Sequence, residues 1–249
     1  MTPLVTYSLR HGDRALILAQ RLLEVVTHAP EIEEDMALSN LALDLIGQAR
    51  ALYTYAGEVD GHGHDEDHYA YWREQHQFLN PLLVEQPNGD FAQVIVRQFL
   101  HDAYAVPWWR AMATSTDATL AALAGKSVKE TAYHLRHSRS WVVRLGDGTD
   151  ESHRRTQAAV DELWRFTAEL FEHDDVEAAL LAAGVAADPE PLRAAWDATV
   201  GDTLAEATLT RPDGAVMQTG GRSGRHSESF SRLVGELQVL ARAHPGAAW

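Results

Sequence analysis

The chain has 249 residues, no cysteine and a net charge of −15, from 21 Lys and Arg against 36 Asp and Glu. A chain this acidic is a poor candidate for binding nucleic acid, because phosphates need a basic surface. The absence of cysteine excludes disulfides, thiolate metal sites, iron–sulfur clusters and cysteine nucleophiles, so any metal needs His, Asp or Glu ligands. With 45% hydrophobic residues, the chain is large enough to bury a core.

No targeting or membrane segment is expected. The N-terminus, MTPLVTYSLRHGDRAL, lacks the basic region and the apolar run of a signal peptide. Nowhere do 18 apolar residues follow one another without a charge, so no transmembrane helix is predicted. We therefore expect a cytoplasmic protein with neither membrane nor nucleic acid among its partners.

Helix-forming residues dominate the chain, and the alternating pattern of β-strands is scarce, which predicts an all-α protein. The predicted helices span about residues 13–28, 31–57, 90–114, 117–145, 152–173, a stretch beginning near 191, and 227–243. Long helices with short connections indicate a helical bundle. We predict a single domain over residues 1–249, in which 211–249 forms an extended loop and a terminal helix.

Several features refine these helices. Asp13 is expected to cap the first one. The second helix is apolar almost all round and is predicted to be central and buried, with these apolar side chains: Met36, Leu38, Leu41, Leu43, Leu45, Ile46 and Leu52. Gly57 is expected to end this helix, and Pro107 falls inside the third one, where proline costs about 3 kcal/mol or kinks the helix.

The stretch from Gly57 to His76 carries six acids against one arginine. It contains three histidines and two aspartates that could form a metal-binding loop: His62, His64, His68, Asp65 and Asp67. The alternative is a solvated polar connection. We favour the connection, because Gly61 and Gly63 would leave the ligands without a rigid frame.

The informative residues are polar groups on helix faces that should be buried. They are Asn40, Asp44 and Gln48 in the second helix, Gln98 and Asp102 in the third, and Glu130, His134 and His137 in the fourth. Four helices with inward carboxylates and histidine are typical of di-iron bundles, in which two helices each give a Glu and two each give Glu-x-x-His. The first helix could add Gln20 or Glu24.

This sequence departs from the di-iron pattern. Gly47 stands three residues after Asp44, and Tyr133 stands three residues after Glu130, with His134 one position late. We therefore favour a buried hydrogen-bonded or ion-paired network over a working metal site, with these candidate partners: Arg97, Lys126 and Lys129. A single weakly bound ion remains an intermediate alternative.

The C-terminal region differs in charge from the rest. Residues 211–249 hold five arginines against three acids, a net +2, which leaves −17 on the other residues. The segment TGGRSGR (219–225) lacks Walker spacing and follows no predicted strand, so a phosphate loop is not expected.

Trp108 and Trp109 are either both buried, or one of them lies on a contact surface. The other tryptophans, Trp249 among them, are core or interface candidates.

Longer segments resemble a known family, the C-type subunits of the bacterial phenylacetyl-CoA epoxidases. They are LALDLIGQAR (41–50), FLNPLLVEQPNGDFA (78–92), KETAYHLRHSRSWVVRLGDGTDES (129–152), LWRFTAELF (163–171), LRAAW (192–196), TGGRSGRH (219–226) and PGAAW (245–249). The resemblance implies a ferritin-like four-helix bundle core with additional C-terminal helices.

The resemblance also implies a role. In this family of complexes a homologous A-type subunit holds the di-iron centre, a reductase delivers electrons from NADPH, and the C-type subunit is a non-catalytic partner in a tight assembly with the A-type one. It implies no catalytic, cofactor-binding or metal-binding residue and no cofactor in this chain. The bundle-core positions that it implies to be vestigial are Glu24, Asp44, Gly47, Asp102, Glu130, Tyr133 and His134.

Two alternatives stay open at this point. One is an independent di-iron or di-manganese carboxylate oxidoreductase in which His134 and His137 replace the usual histidines. The other is a regulatory or storage bundle of the ferritin type without an oxygenase partner.

Overall fold

The computed structural model describes residues 1–247, which contain helices and no β-strand. The all-α prediction is thereby confirmed. Trp249 and the end of the PGAAW segment lie outside the described residues. The chain divides into two compact units, Met1–Pro87 with Gly220–Trp249, and Asn88–Thr219.

The α-helices of the described residues are, in chain order, α1 (Pro3–Leu23), α2 (Ile32–Asp60), α3 (Glu66–Tyr71), α4 (Leu82–Glu85), α5 (Phe91–Met112), α6 (Ala118–Gly146), α7 (Asp150–Leu163), α8 (Asp175–Ala182), α9 (Pro189–Glu206) and α10 (Phe230–Ala243). None of them is both long and apolar enough to cross a membrane.

Helix α1 begins ten residues before its predicted start. Thr2 caps it through its side chain, and Pro3 occupies the first turn, where its missing N–H has no intrahelical role. The predicted cap, Asp13, lies in the middle of α1 and is fully buried. The prediction was wrong because the first half of α1 buries polar residues, which conceal the apolar periodicity.

Helix α2 packs along α1 in the first unit, but it is not buried all round as predicted. Leu38, Leu41 and Leu45 are buried, whereas Met36 and Leu43 are 62% and 61% exposed. The helix ends at Asp60 and not at Gly57, and it is followed by Gly61, whose φ of 75° is the left-handed conformation that favours glycine.

In the second unit, α5 packs against α6, and both α7 and α9 pack on α5. Helix α5 continues through Pro107, and the next two residues, Trp108 and Trp109, are each 1% exposed with their rings edge to face. Both tryptophans are therefore buried.

The predicted helix over 152–173 ends at Leu163 and is followed by 3-10 turns, and α8 was not predicted.

The glycine-rich C-terminal region is irregular as predicted, apart from a 3-10 turn at Gly221–Ser223, before α10 begins. Two glycines let it lie close to the first unit's own backbone. A Cβ at Gly221 would meet the Asn80 carbonyl oxygen, and one at Gly224, which has a φ of 79°, would meet that of His76. The segment is thus held against residues 76–82 from the same unit.

Candidate functional site

The predicted bundle-core positions of the first unit do not form a ligand set. Asp44 is half-buried, and Gly47 faces open space, since a Cβ placed there would meet no atom within 4 Å. Glu24 follows the last residue of α1 and pairs with Arg21 at 3.0 Å. The three polar residues of α2 differ in burial: Asn40 is exposed, Asp44 is half-buried and Gln48 is buried.

In the second unit, two of the predicted positions on α6 make surface interactions. Glu130 lies 3.5 Å from the ammonium of Lys126, one of its predicted partners. Tyr133 is 47% exposed, and the guanidinium of Arg136 lies 5.2 Å from its ring centroid. His134 is fully buried. A tyrosine directed to the surface cannot supply the ligand that the Glu-x-x-His pattern requires at that place.

Asp102 of α5 is the most buried of the predicted carboxylates, with no exposed surface. Gln98 and Ser138 each donate a hydrogen bond of 2.8 Å to it, and His101 lies 3.1 Å away. Burial raises the pKa of Asp102 well above its usual value, although these two donors oppose the shift. Burial thus disfavours the ionised carboxylate, which is the form that binds a metal.

Asp102 should make folding pH-dependent. Because its pKa is higher in the folded state than in the unfolded one, the unfolded chain releases this proton first, and stability falls as pH rises above about 4. Asp102→Asn should remove that loss, so that its stability advantage over the wild type grows as pH rises above about 4. Chemical denaturation at several pH values measures this difference. Parallel stability curves for the two proteins would contradict it.

Taken together, the predicted positions do not fit a di-iron centre. Gly47 offers no ligand, Tyr133 faces the surface, and Asp102 is held by a serine and an amide. Within residues 1–247, no three His, Asp or Glu side chains are grouped so that they could hold a metal ion. The vestigial character of these positions and the absence of iron from this chain stay predictions for metal analysis.

A second buried polar cluster was missed by the sequence analysis, and it joins α1, α2 and the segment after α3. The Asp13 carboxylate accepts hydrogen bonds from the Arg73 guanidinium, from the Tyr53 hydroxyl at 2.5 Å and from the Leu79 amide at 2.7 Å. Gly12 makes room for it, since a Cβ there would lie 2.6 Å from the Tyr53 ring. The cluster cross-links the first unit.

The charges in this cluster are balanced. Burial acts to lower the pKa of Arg73, but Asp13 and Tyr53 outweigh burial, and the pKa is raised. Burial and the neighbouring Asp13 raise the pKa of Tyr53 well above its usual value. Arg73 therefore stays charged beside Asp13. The sequence signal for this pair was the single arginine in the acidic stretch 57–76.

A third buried cluster attaches the C-terminal segment. Glu85, which is fully buried, accepts hydrogen bonds from the Ser227 amide at 2.6 Å, from Asn80 at 2.8 Å and from Nδ1 of His226 at 2.7 Å. Nε2 of His226 lies 2.9 Å from the Phe78 carbonyl oxygen, and the imidazole stacks on Phe230. Both ring nitrogens are thus within hydrogen-bond distance of oxygen atoms of Phe78 and Glu85, and they hold the segment in place.

The histidine-rich loop lines a cavity of about 430 Å³ in the first unit. His64 donates to Asp60 at 2.6 Å and stacks on His68, with ring centroids 3.6 Å apart. Tyr69 donates a hydrogen bond to Asp60, and this bond lowers the pKa of the Asp60 carboxyl. Burial acts in the opposite direction but is the smaller effect, so the pKa is lower than usual. The parallel stacking of the two rings does not direct both toward one ion, in keeping with the favoured interpretation as a polar connection.

The chain is a member of the phenylacetic acid catabolic protein family, whose model matches residues 1–249. Its fold is ferritin-like, as the resemblance implied. Among individual proteins, it is 49% identical over 249 residues to the C subunit of 1,2-phenylacetyl-CoA epoxidase from Escherichia coli (strain K12). The alignment covers 100% of both chains. The resemblance found in the sequence is therefore confirmed.

Proposed function

We propose that this protein is the non-catalytic structural subunit of a multicomponent phenylacetyl-CoA 1,2-epoxidase. It would support a homologous catalytic subunit that carries the di-iron centre, in the cytoplasm, during aerobic breakdown of phenylacetate. A reductase subunit would supply the electrons, since a chain without cysteine has no ligands for an iron–sulfur cluster.

One observation carries the proposal most directly. The chain is a full-length relative of a named epoxidase subunit, yet its bundle-core positions do not assemble a ligand set. Gly47 and Tyr133 stand where the pattern requires metal-ligating side chains. A chain with this fold and without those ligands is suited to binding a partner and unsuited to activating oxygen.

Metal analysis tests the proposal. The isolated chain, purified from cells grown with added iron, should contain far less than one iron per molecule and should not convert phenylacetyl-CoA. Together with the catalytic subunit it should form a stable complex that contains iron and, once the reductase is added, consumes oxygen. Stoichiometric iron in the isolated chain, lost in Asp44→Ala or Glu130→Ala, would contradict the proposal.

Two other functions are separated by the same preparation. An independent di-iron or di-manganese oxidoreductase would use His134 and His137, and would consume oxygen with a reductant in the absence of other subunits. A regulatory or storage bundle of the ferritin type would form no complex with the catalytic subunit. No contact among the described residues favours either function over the structural one.

A further inference from the structure

One side of helix α6 is basic, although the chain as a whole is acidic. Residues 118–146 hold five lysines and arginines against one acid, Glu130, a net of +4 that leaves −19 on the other residues. Both lysines of the chain, Lys126 and Lys129, are among them. Positive charge is therefore concentrated on one element of the second unit, where it opposes the field of the acidic remainder.

The exposed members of this group lie along one side of α6, because successive members are three, four or eight residues apart. We call it the α6 basic side, and it consists of Lys126, Lys129, Tyr133, Arg136 and Arg144. It extends for about 27 Å, at 1.5 Å per residue. Glu130 lies at its edge with 19% of its side chain exposed, and Arg139 lies on another side, where it pairs with Glu206 of α9.

The two lysines are available to a partner. The side chain of Lys126 is 77% exposed, and its ammonium lies 3.5 Å from Glu130, which is a loose contact at the surface. Lys129 is exposed and has no ion-pair partner among residues 1–247. Their charges are thus little compensated by the part of the chain that the structure describes.

The two arginines are held in position by aromatic rings. The guanidinium of Arg136 lies 5.2 Å from the ring centroid of Tyr133, and that of Arg144 lies 5.4 Å from that of Trp141. Such contacts orient a guanidinium and leave its charge in place. Tyr133, which is 47% exposed, stands near the middle of the basic side, and tyrosine and arginine are residues that protein interfaces favour.

The size of the basic side indicates what it can bind. A nucleic acid or an anionic membrane extends beyond about 27 Å and would also face the −19 of the other residues. A small anion would find no cleft, because neighbouring side chains on a helix surface are about 5–6 Å apart and point outward. An acidic patch of similar size on another protein matches both the charge and the length.

The composition of the basic side indicates which subunit carries that patch. Permanent contacts between subunits are large and apolar, whereas electron-transfer partners meet briefly through small, charged surfaces. Four cations around one exposed tyrosine have the character of a brief contact. The electron donor also provides the opposite charge near its redox centre, since an iron–sulfur cluster held by four thiolates has a net negative charge.

We propose that the α6 basic side binds an acidic patch of the reductase subunit, in an inference that rests on the proposed function. Carboxylates of the reductase would pair with Lys126, Lys129 and Arg136, and Tyr133 would lie at the centre of the contact. The attraction would speed the encounter of the reductase with the complex, as opposite charges do for other electron-transfer partners.

Charge reversal on the basic side tests the docking surface. In the complex reconstituted from this chain, the catalytic subunit and the reductase, Lys129→Glu and Arg136→Glu should each raise the KM for the reductase by about tenfold or more at low salt. The kcat at saturating reductase should stay within about twofold of the wild type. Oxygen consumption at increasing reductase concentrations measures both constants.

The matched control is Arg232→Glu, which makes the same change of charge at an arginine of the first unit whose side chain is 86% exposed. It should change the KM for the reductase by less than about twofold. The isolated variants should melt as the wild type does, because the replaced side chains are exposed. A variant that melts early is replaced by Lys129→Ala or Arg136→Ala, with a smaller increase of KM expected.

Salt gives a second measurement. Raising the ionic strength from about 20 to 200 mM should raise the KM of the wild-type complex several-fold, because the contact is exposed and its charges are screened. The double variant Lys129→Glu with Arg136→Glu should show a much weaker dependence on salt. Sedimentation velocity should find the affinity for the catalytic subunit unchanged in both single variants.

The outcomes separate the surface from the function. A wild-type KM for the reductase in both Lys129→Glu and Arg136→Glu would overturn the docking surface alone. A loss of affinity for the catalytic subunit at an unchanged KM would assign the basic side to that subunit, and a salt-sensitive dimer of the isolated chain that Lys129→Glu dissociates would assign it to a second copy; either result would overturn this proposal. A wild-type complex that consumes no oxygen with the reductase would overturn the proposed function as well.

Discussion

Replacing Arg73 with leucine should lower the free energy of unfolding by about 3–5 kcal/mol, the usual cost of removing one member of a buried ion pair. Arg73 is 5% exposed, and its guanidinium binds both oxygens of Asp13, which has no exposed surface. Without it, a buried carboxylate keeps only the Tyr53 hydroxyl and the Leu79 amide. Chemical denaturation of the purified chain measures the loss.

A double variant shows whether the loss comes from leaving the buried Asp13 carboxylate without its cation. Arg73→Leu combined with Asp13→Leu removes both charges, so most of the stability should return, as it does when a buried ion pair is replaced by apolar residues. A surface pair provides the control. Arg232→Leu breaks an exposed bond to Glu236 and should cost less than about 1 kcal/mol. If Arg73→Leu cost no more than this control, the cross-link would have no structural importance.

Some elements were predictable because their signals are local. Helices α5 and α6 were placed within one or two residues of their observed limits. Asp90 and Asp117 cap them through their own side chains, as helix-starting aspartates do. The departures Gly47 and Tyr133 from the metal-binding pattern were likewise visible, since spacing along one helix determines which side chains could share a metal.

Other features depend on contacts between distant parts of the chain and could not be predicted. The first half of α1 looks too polar for a core helix until Arg73, 60 residues away from Asp13, is seen to neutralise it. Asp102 likewise acquires its partner Ser138 from another helix. The expected burial of Met36 and Leu43 failed because helix α2 packs against α1 through one side only, and its hydrophobicity alone does not tell which side that is.

The largest effect expected for the C-terminal segment comes from Glu85→Ala. This change removes the acceptor shared by Asn80, His226 and the Ser227 amide. It removes the bonded acceptor of the Ser227 amide and leaves Asn80 and His226 only their bonds to the Pro81 and Phe78 carbonyls, so the free energy of unfolding should fall by about 3–5 kcal/mol. Limited proteolysis should then cut the chain near residues 213–229 much faster, because the segment loses its attachment while α5 and α6 keep their own cores.

Two further variants separate attachment from general destabilisation. Glu85→Gln keeps an acceptor for two of the three donors and should give an intermediate effect, whereas Glu236→Ala on the exposed side of α10 should change neither stability nor cleavage by a measurable amount. His226→Phe keeps an aromatic ring to stack on Phe230 but loses both hydrogen bonds, so it should speed cleavage nearly as much as Glu85→Ala. If His226→Phe were cut as slowly as the wild type, stacking rather than the carboxylate would hold the segment.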